Sequence, residues 1–157
     1  MPDGANGVTE LRREHDEIEG LATRIASLDP CRERTRLVRE VAVRFLSHAR
    51  VEQRYLYPAL RSFLPDGLED AVRQTRQDDA AAQIALSIER SGEEADGYEA
   101  LVDQLVLDVQ RHIEQQETVL LPTLLDSCSP AEINQLGRQL RSGLIDERDH
   151  HDGTETG

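Results

Sequence analysis

Apolar positions recur at steps of three and four residues along nearly the whole chain, and no stretch alternates with the two-residue period of a strand. The first predicted helix runs from about Thr9, a suitable N-cap, to about Leu28, with Leu11, His15, Ile18, Ala22 and Ile25 on its inner stripe. Asp29-Pro30 ends it and offers a cap and a first-turn proline to the next. That second helix spans about Cys31 to Phe63, with Val41, Phe45, His48, Glu52, Tyr55 and Ala59 on one face. Pro58 is expected to kink its last turns. Leu64-Pro65-Asp66-Gly67 reads as a turn, Asp66 as the cap of a third helix, and Ser91-Gly92 as its end. A fourth helix follows from about Glu93 to Asp126, disturbed near Pro122, and Ser129-Pro130-Ala131-Glu132 has the form of a capping box. The fold expected is all-α: an up-down four-helix bundle over residues 8–144 that includes a short fifth helix ending near Ser142-Gly143. Residues 1–7 are expected to be a flexible N-terminus, and 145–157 a disordered acidic and histidine-bearing tail.

The second and fourth helices repeat each other. His48, Glu52, Tyr55, Pro58 and Leu60 find counterparts 64 residues on in His112, Gln116, Val119, Pro122 and Leu124. The first and third repeat more faintly, with Arg13-Glu14-His15-Asp16 falling on Arg76-Gln77-Asp78-Asp79. Two such hairpins closing on each other would bring their mid-height polar residues to one level of the core. Polar groups there are costly unless they pair or bind metal. His48 and Glu52, four apart, project from one helical face within reach of one ion, and imidazole with carboxylate suits iron, manganese or zinc. A lone core histidine is usually just hydrogen-bonded; His15, His48 and His112 at matched heights favour ligation.

A single histidine on the first helix, His-x-x-x-Glu on the second and a fourth-helix histidine followed by an acid together resemble the hemerythrin or HHE cation-binding domain. The two helix prolines and the final helix opened by Ser-Pro-Ala-Glu are similar to its bacterial members, and the likeness covers about residues 8–144. What the resemblance implies is a four-helix bundle around a non-haem, oxo-bridged centre of two iron ions. Family members bind dioxygen, sense iron or redox state, or act on peroxide or nitric oxide. Carried onto this chain, His15, His48, Asp78 and His112 become terminal ligands, Glu52 and Glu117 bridges, and Tyr55 either a ligand or a packed residue bonded to one of the acids.

The chain also departs from the family pattern. Asp78 stands where the family has a third-helix histidine, and Gln116 where bacterial members often have an acid. Glu117, five residues after His112, lies about 140° around a straight helix of ~3.6 residues per turn, at the edge of the buried face. With Asp78 and Tyr55 as ligands the donor set would be more anionic than that of oxygen carriers, and hard anionic oxygens favour the ferric state. The expected activity is therefore redox chemistry on hydrogen peroxide, catalase-like. The alternative is a non-catalytic module that binds or senses dioxygen, nitric oxide or iron. A third possibility is a metal-free bundle whose core polar residues only pair with each other.

Composition narrows the partners. Thirty-one acidic against 18 basic residues give a net charge of −13. That leaves no basic surface for nucleic acid or an anionic membrane. All the basic residues are arginine, as a GC-rich, bacterial codon bias would produce. No apolar run approaches the ~20 residues of a membrane span, and the first residues carry no secretory pattern, so a cytoplasmic location is expected. Cys31 and Cys128 fall at opposite ends of the expected bundle and read as free thiols. Oligomeric state leaves no mark in the sequence.

Overall fold

The computed structural model describes the backbone of residues 3–155 and the side chains of residues 8–149. Among these residues there are helices and turns and no strand. Helix α1 spans Asp3–Ser27, α2 Arg32–Val51, α3 Tyr57–Phe63, α4 Gly67–Ser91, α5 Tyr98–Gln115, α6 Leu121–Ser127 and α7 Pro130–Glu155. A five-residue π-helical turn, Glu52–Leu56, joins α2 to α3, and a second, Gln116–Leu120, joins α5 to α6. The chain therefore forms four long rods, with α7 packed mainly along α1 and also touching α2 and the first π turn.

The prolines explain the π turns. Pro58 and Pro122 lack the N–H of an α-helical bond, and their rings would press on the carbonyl four residues back. Widening the turn relieves this: the Tyr57 and Leu121 N–H groups bond to the carbonyls of Glu52 and Gln116, five residues earlier. The expected kinks are thus wider turns, and the side chains beyond them are displaced in phase.

Several boundaries differ from the sequence reading. Helix α1 starts at Asp3 rather than at Thr9, although Gly4 and Gly7 are poor helix formers. The cap of α2 is Cys31, whose sulfur accepts from the Arg34 N–H at 3.4 Å, and not Asp29. Asp66 precedes α4 but makes no side-chain cap bond. Helix α5 starts at Tyr98, after a loop framed by Gly92 and Gly97 at φ 76° and 88°, values that L side chains rarely adopt. Glu93 therefore lies in a loop.

Helix α7 is the largest difference. It does not stop at Gly143 but runs 26 residues to Glu155, so the fifth helix is long rather than short, and 145–155 are helical. A Cβ on Gly143 would lie 2.7 Å from the Tyr55 ring, so this glycine is a notch for an aromatic and not a helix stop. The capping box at its start is present: Ser129 N–H donates to Glu132, and Glu132 N–H donates to the Ser129 hydroxyl. Both cysteines are free. No helix is long and apolar enough to cross a membrane among the described residues.

Two apolar clusters fill the interior. One gathers Leu11, Leu56, Leu60, Leu121, Leu124 and Leu140; the other gathers Ile18, Ile25, Val41, Phe45, Leu105 and Val109. Along α1 the two are separated by His15, along α2 by His48, and along the α5–α6 rod by Gln116, one turn after His112, so a polar layer lies between them.

Candidate metal centre

Every rod contributes to that layer. His15 comes from α1, His48 and Glu52 from α2 and its π turn, Gln74 and Asp78 from α4, and His112 and Gln116 from α5 and its π turn. Each of these seven side chains is buried to within about 2 %.

Glu52 is at the centre. Its Oε2 lies 3.2 Å from His48 Nε2 and 3.6 Å from His15 Nε2, and its Oε1 lies 3.0 Å from His112 Nε2. Two groups of potential ligands result, His15–His48–Glu52 and Glu52–Asp78–His112, with the ligand atoms of each group within 4.8 Å of one another. Glu52 belongs to both.

The opposite nitrogen of each imidazole faces a carboxylate. His15 Nδ1 donates to Glu117 Oε1 at 2.6 Å, His48 Nδ1 faces Glu14 Oε1 at 3.6 Å, and His112 Nδ1 faces Asp78 Oδ1 at 3.5 Å. Only the first of these is a hydrogen bond, the Nδ1 atoms of His48 and His112 having no hydrogen-bond partner among the described residues; histidines that bind metal through one nitrogen are commonly fixed through the other as His15 is. Arginines extend the chain outward, Arg12 to Glu117 and Arg148 of α7 to Glu14.

The lone pairs inside the layer exceed the protons available to them. His15 Nε2 meets His48 Nε2 at 2.8 Å, where one proton at most fits between. Glu52 Oε2, Asp78 Oδ1 and Gln116 Oε1 are buried without a hydrogen bond among the described residues. Such groups are expensive to bury unless a cation satisfies them, so the donors fit a metal site.

The electrostatics agree. Burial alone would lower the His48 pKa, but Glu52 and Glu14 lift it to about 10. Burial would raise Glu52, yet His48 and His112 hold it well below the usual carboxylate range. Asp78 is pushed up to about 6 by burial, against the pull of His112. Glu117 is lowered chiefly by its hydrogen bond from His15. Burial, with Glu52 and Asp78 nearby, raises Tyr57 far above the ordinary phenol value, so its hydroxyl stays a donor.

The structure thus brings together His15, His48, Glu52, Asp78 and His112. Two expected residues fall elsewhere. Tyr55 is half-buried, with its ring against the Gly143 notch and the Arg54 guanidinium 5.2 Å from the ring centre. Tyr57 takes the place next to the layer and donates to Asp78 Oδ2 at 2.7 Å. The π turn is the reason, because it moves position 57, not 55 or 56, over Glu52. Glu117 lies at the edge, as its angle predicts, but contacts His15 on the side away from Glu52, while Gln116 points inward with its Nε2 3.0 Å from His112 Nε2.

Sequence reasoning did not select Glu14, Gln74 or Tyr57. Gln74 had a usable signal, since it precedes Asp78 by four residues on α4; its amide accepts from Gln116 at 3.4 Å and donates to Gln115 at 3.1 Å. Glu14 had none beyond its place beside His15. The side chains of His150 and His151, read from sequence as non-ligands, lie outside the described residues.

Residues 6–124 match the Hemerythrin HHE cation binding domain, most of the chain, and the protein belongs to that family. The match ends within α6 and leaves α7 outside it. No curated protein and no solved structure matches the chain.

Proposed function

We propose that this protein is a non-haem di-iron protein that disproportionates hydrogen peroxide. The observation carrying the reading is the sharing of Glu52 between two buried donor groups. Short connections between successive rods support the up-down arrangement on which the site depends. His15 and His48 with Glu52 would hold one iron, and His112 and Asp78 with Glu52 the other. When bound, the iron pair would supply a two-electron relay, so that one peroxide is oxidised to dioxygen while its two electrons and two protons reduce another to two waters.

The chain's own residues have separate tasks. Glu52 joins the two positions. Glu117 holds the imidazole of His15 from behind through a hydrogen bond, Glu14 faces that of His48 as a charge 3.6 Å away, and Tyr57 holds Asp78 by donating to Oδ2. The oxygen donors of Glu52 and Asp78 favour a ferric resting state, which suits peroxide better than reversible dioxygen binding. This oxygen-rich character rests on Asp78, with Tyr57 beside it, and no longer on Tyr55.

Iron-loaded protein is expected to evolve dioxygen from peroxide above the free-iron background, and Glu52→Ala protein is not. Absence of both oxygen evolution and peroxide consumption in the iron-loaded protein would sink the proposal. The closed surface of the layer favours a second reading, a module that only binds dioxygen, nitric oxide or iron. That reading predicts a stable gas adduct of the reduced protein and no turnover.

A further inference from the structure

The two donor groups that share Glu52 are unequal, and the consequence rests on the metal-centre reading above. One group offers two imidazoles, His15 and His48, besides the carboxylate. The other offers one imidazole, His112, with Asp78. Asp78 is already half committed: its Oδ2 accepts from the Tyr57 hydroxyl at 2.7 Å and from Gln53 at 3.3 Å, leaving Oδ1 without a hydrogen bond. Next to His112 stands the neutral amide of Gln116, fully buried, with its carbonyl oxygen also unpartnered among the described residues. An amide oxygen is a ligand for a hard cation but brings no charge to it.

We infer that the two halves load in sequence: a first divalent ion binds tightly at His15, His48 and Glu52, and a second binds weakly at Glu52, Asp78 and His112 with the Gln116 carbonyl as an added donor. Nitrogen-rich and oxygen-rich ligand sets also rank metals differently. The first position takes iron, cobalt or zinc in preference to manganese, whereas the second discriminates less among them. At limiting metal the chain therefore carries one ion and not a mixture of empty and doubly loaded molecules.

The test is an anaerobic titration of the metal-free full chain with ferrous iron and separately with cobalt, followed by calorimetry, with bound metal counted after gel filtration. Two steps separated by at least tenfold in affinity are expected. Gln116→Glu supplies the missing charge and should tighten the second step at least tenfold while leaving the first in place. Asp78→Asn should abolish the second step and keep the first, with helicity by circular dichroism checking that each variant folds. A single two-ion step in the unaltered chain would overturn the inference, as would a second step indifferent to Gln116→Glu. Failure of the unaltered chain to take up any metal would instead overturn the underlying metal-centre reading, so the two failures are told apart.

Discussion

The rods at 48–63 and 112–127 share a backbone and differ in chemistry. In each, a histidine is followed after four residues by the first residue of a π turn, and a proline is the second residue of the helix beyond. Even the closing residues match, with Leu64 and Cys128 at nearly the same extended angles. Yet the first rod presents His48, Glu52 and Tyr57 to the polar layer, while the second presents His112 and Gln116 and has the apolar Leu121 where the first has Tyr57. Their outer surroundings differ too. Tyr55 packs on Gly143 of α7, whereas its counterpart Val119 is 53 % exposed, because α7 packs mainly along α1 and the first rod. Local backbone geometry follows the repeated proline; the chemistry follows side chains that vary on that frame without disturbing it.

The sharpest way to break the comparison is to remove Glu52. Glu52→Ala takes the shared carboxylate from both donor groups, so loss of both ions is expected, measured as metal retained after dialysis. Gln116→Ala at the matching position should leave at least one ion bound. Retention of two ions by Glu52→Ala would mean that the rods contribute alike after all. Leu60 and Leu124, matched and almost fully buried in the same cluster, test the part of the repeat that is equal. Each change to Ala should cost about 2–5 kcal/mol in denaturant unfolding. The two costs should agree to within about 1 kcal/mol, and a clearly larger one at Leu60 would show that the cover of α7 stiffens the first rod.

A smaller effect separates the rods by pH. In the metal-free protein Glu52 and Glu14 hold His48 protonated up to about pH 10, and a metal needs the neutral imidazole. Between pH 6 and 9 the metal must displace that proton, so first-ion affinity should increase about tenfold per pH unit, or ~1.4 kcal/mol. Proton release on metal addition, compared across buffers of different ionisation enthalpy, checks this. A first step indifferent to pH would place the ion away from His48.

How much of this was legible depends on the kind of signal. Histidines and acids at four-residue spacing, repeated at a constant offset, announce a shared level in a helical core, and His15, His48, Glu52 and His112 are found in one layer. Whole-rod periodicity could not reveal the extra residue in a π turn, which brings Tyr57, five residues after Glu52, to the layer in place of Tyr55, three residues after it. The angle of Glu117 was readable as the edge of the buried face; that it would reach His15 from behind depends on another helix. Gly143 illustrates the same limit. Glycine near a helix end usually reads as a stop, and only the ring of Tyr55, distant in sequence, makes it a notch.

The least costly difference between the rods lies where each hands the chain to its next helix. After the second, Ser129 and Glu132 close a reciprocal pair of side-chain bonds at the start of α7. After the first, Asp66 stands before α4 with no side-chain bond to the helix, leaving only the attraction of its charge for the helix N-terminus. Ser129→Ala should therefore cost about 1 kcal/mol. In a chain of this size that is a fall of roughly 2–4 °C in Tm. Asp66→Ala should cost less, and salt should erase most of its effect, because exposed charge interactions are screened and a neutral hydroxyl cap is not. Thermal melts of both variants at low and high salt separate the two contributions. Equal, salt-sensitive losses would mean that charge alone starts both helices and that the capping box adds nothing.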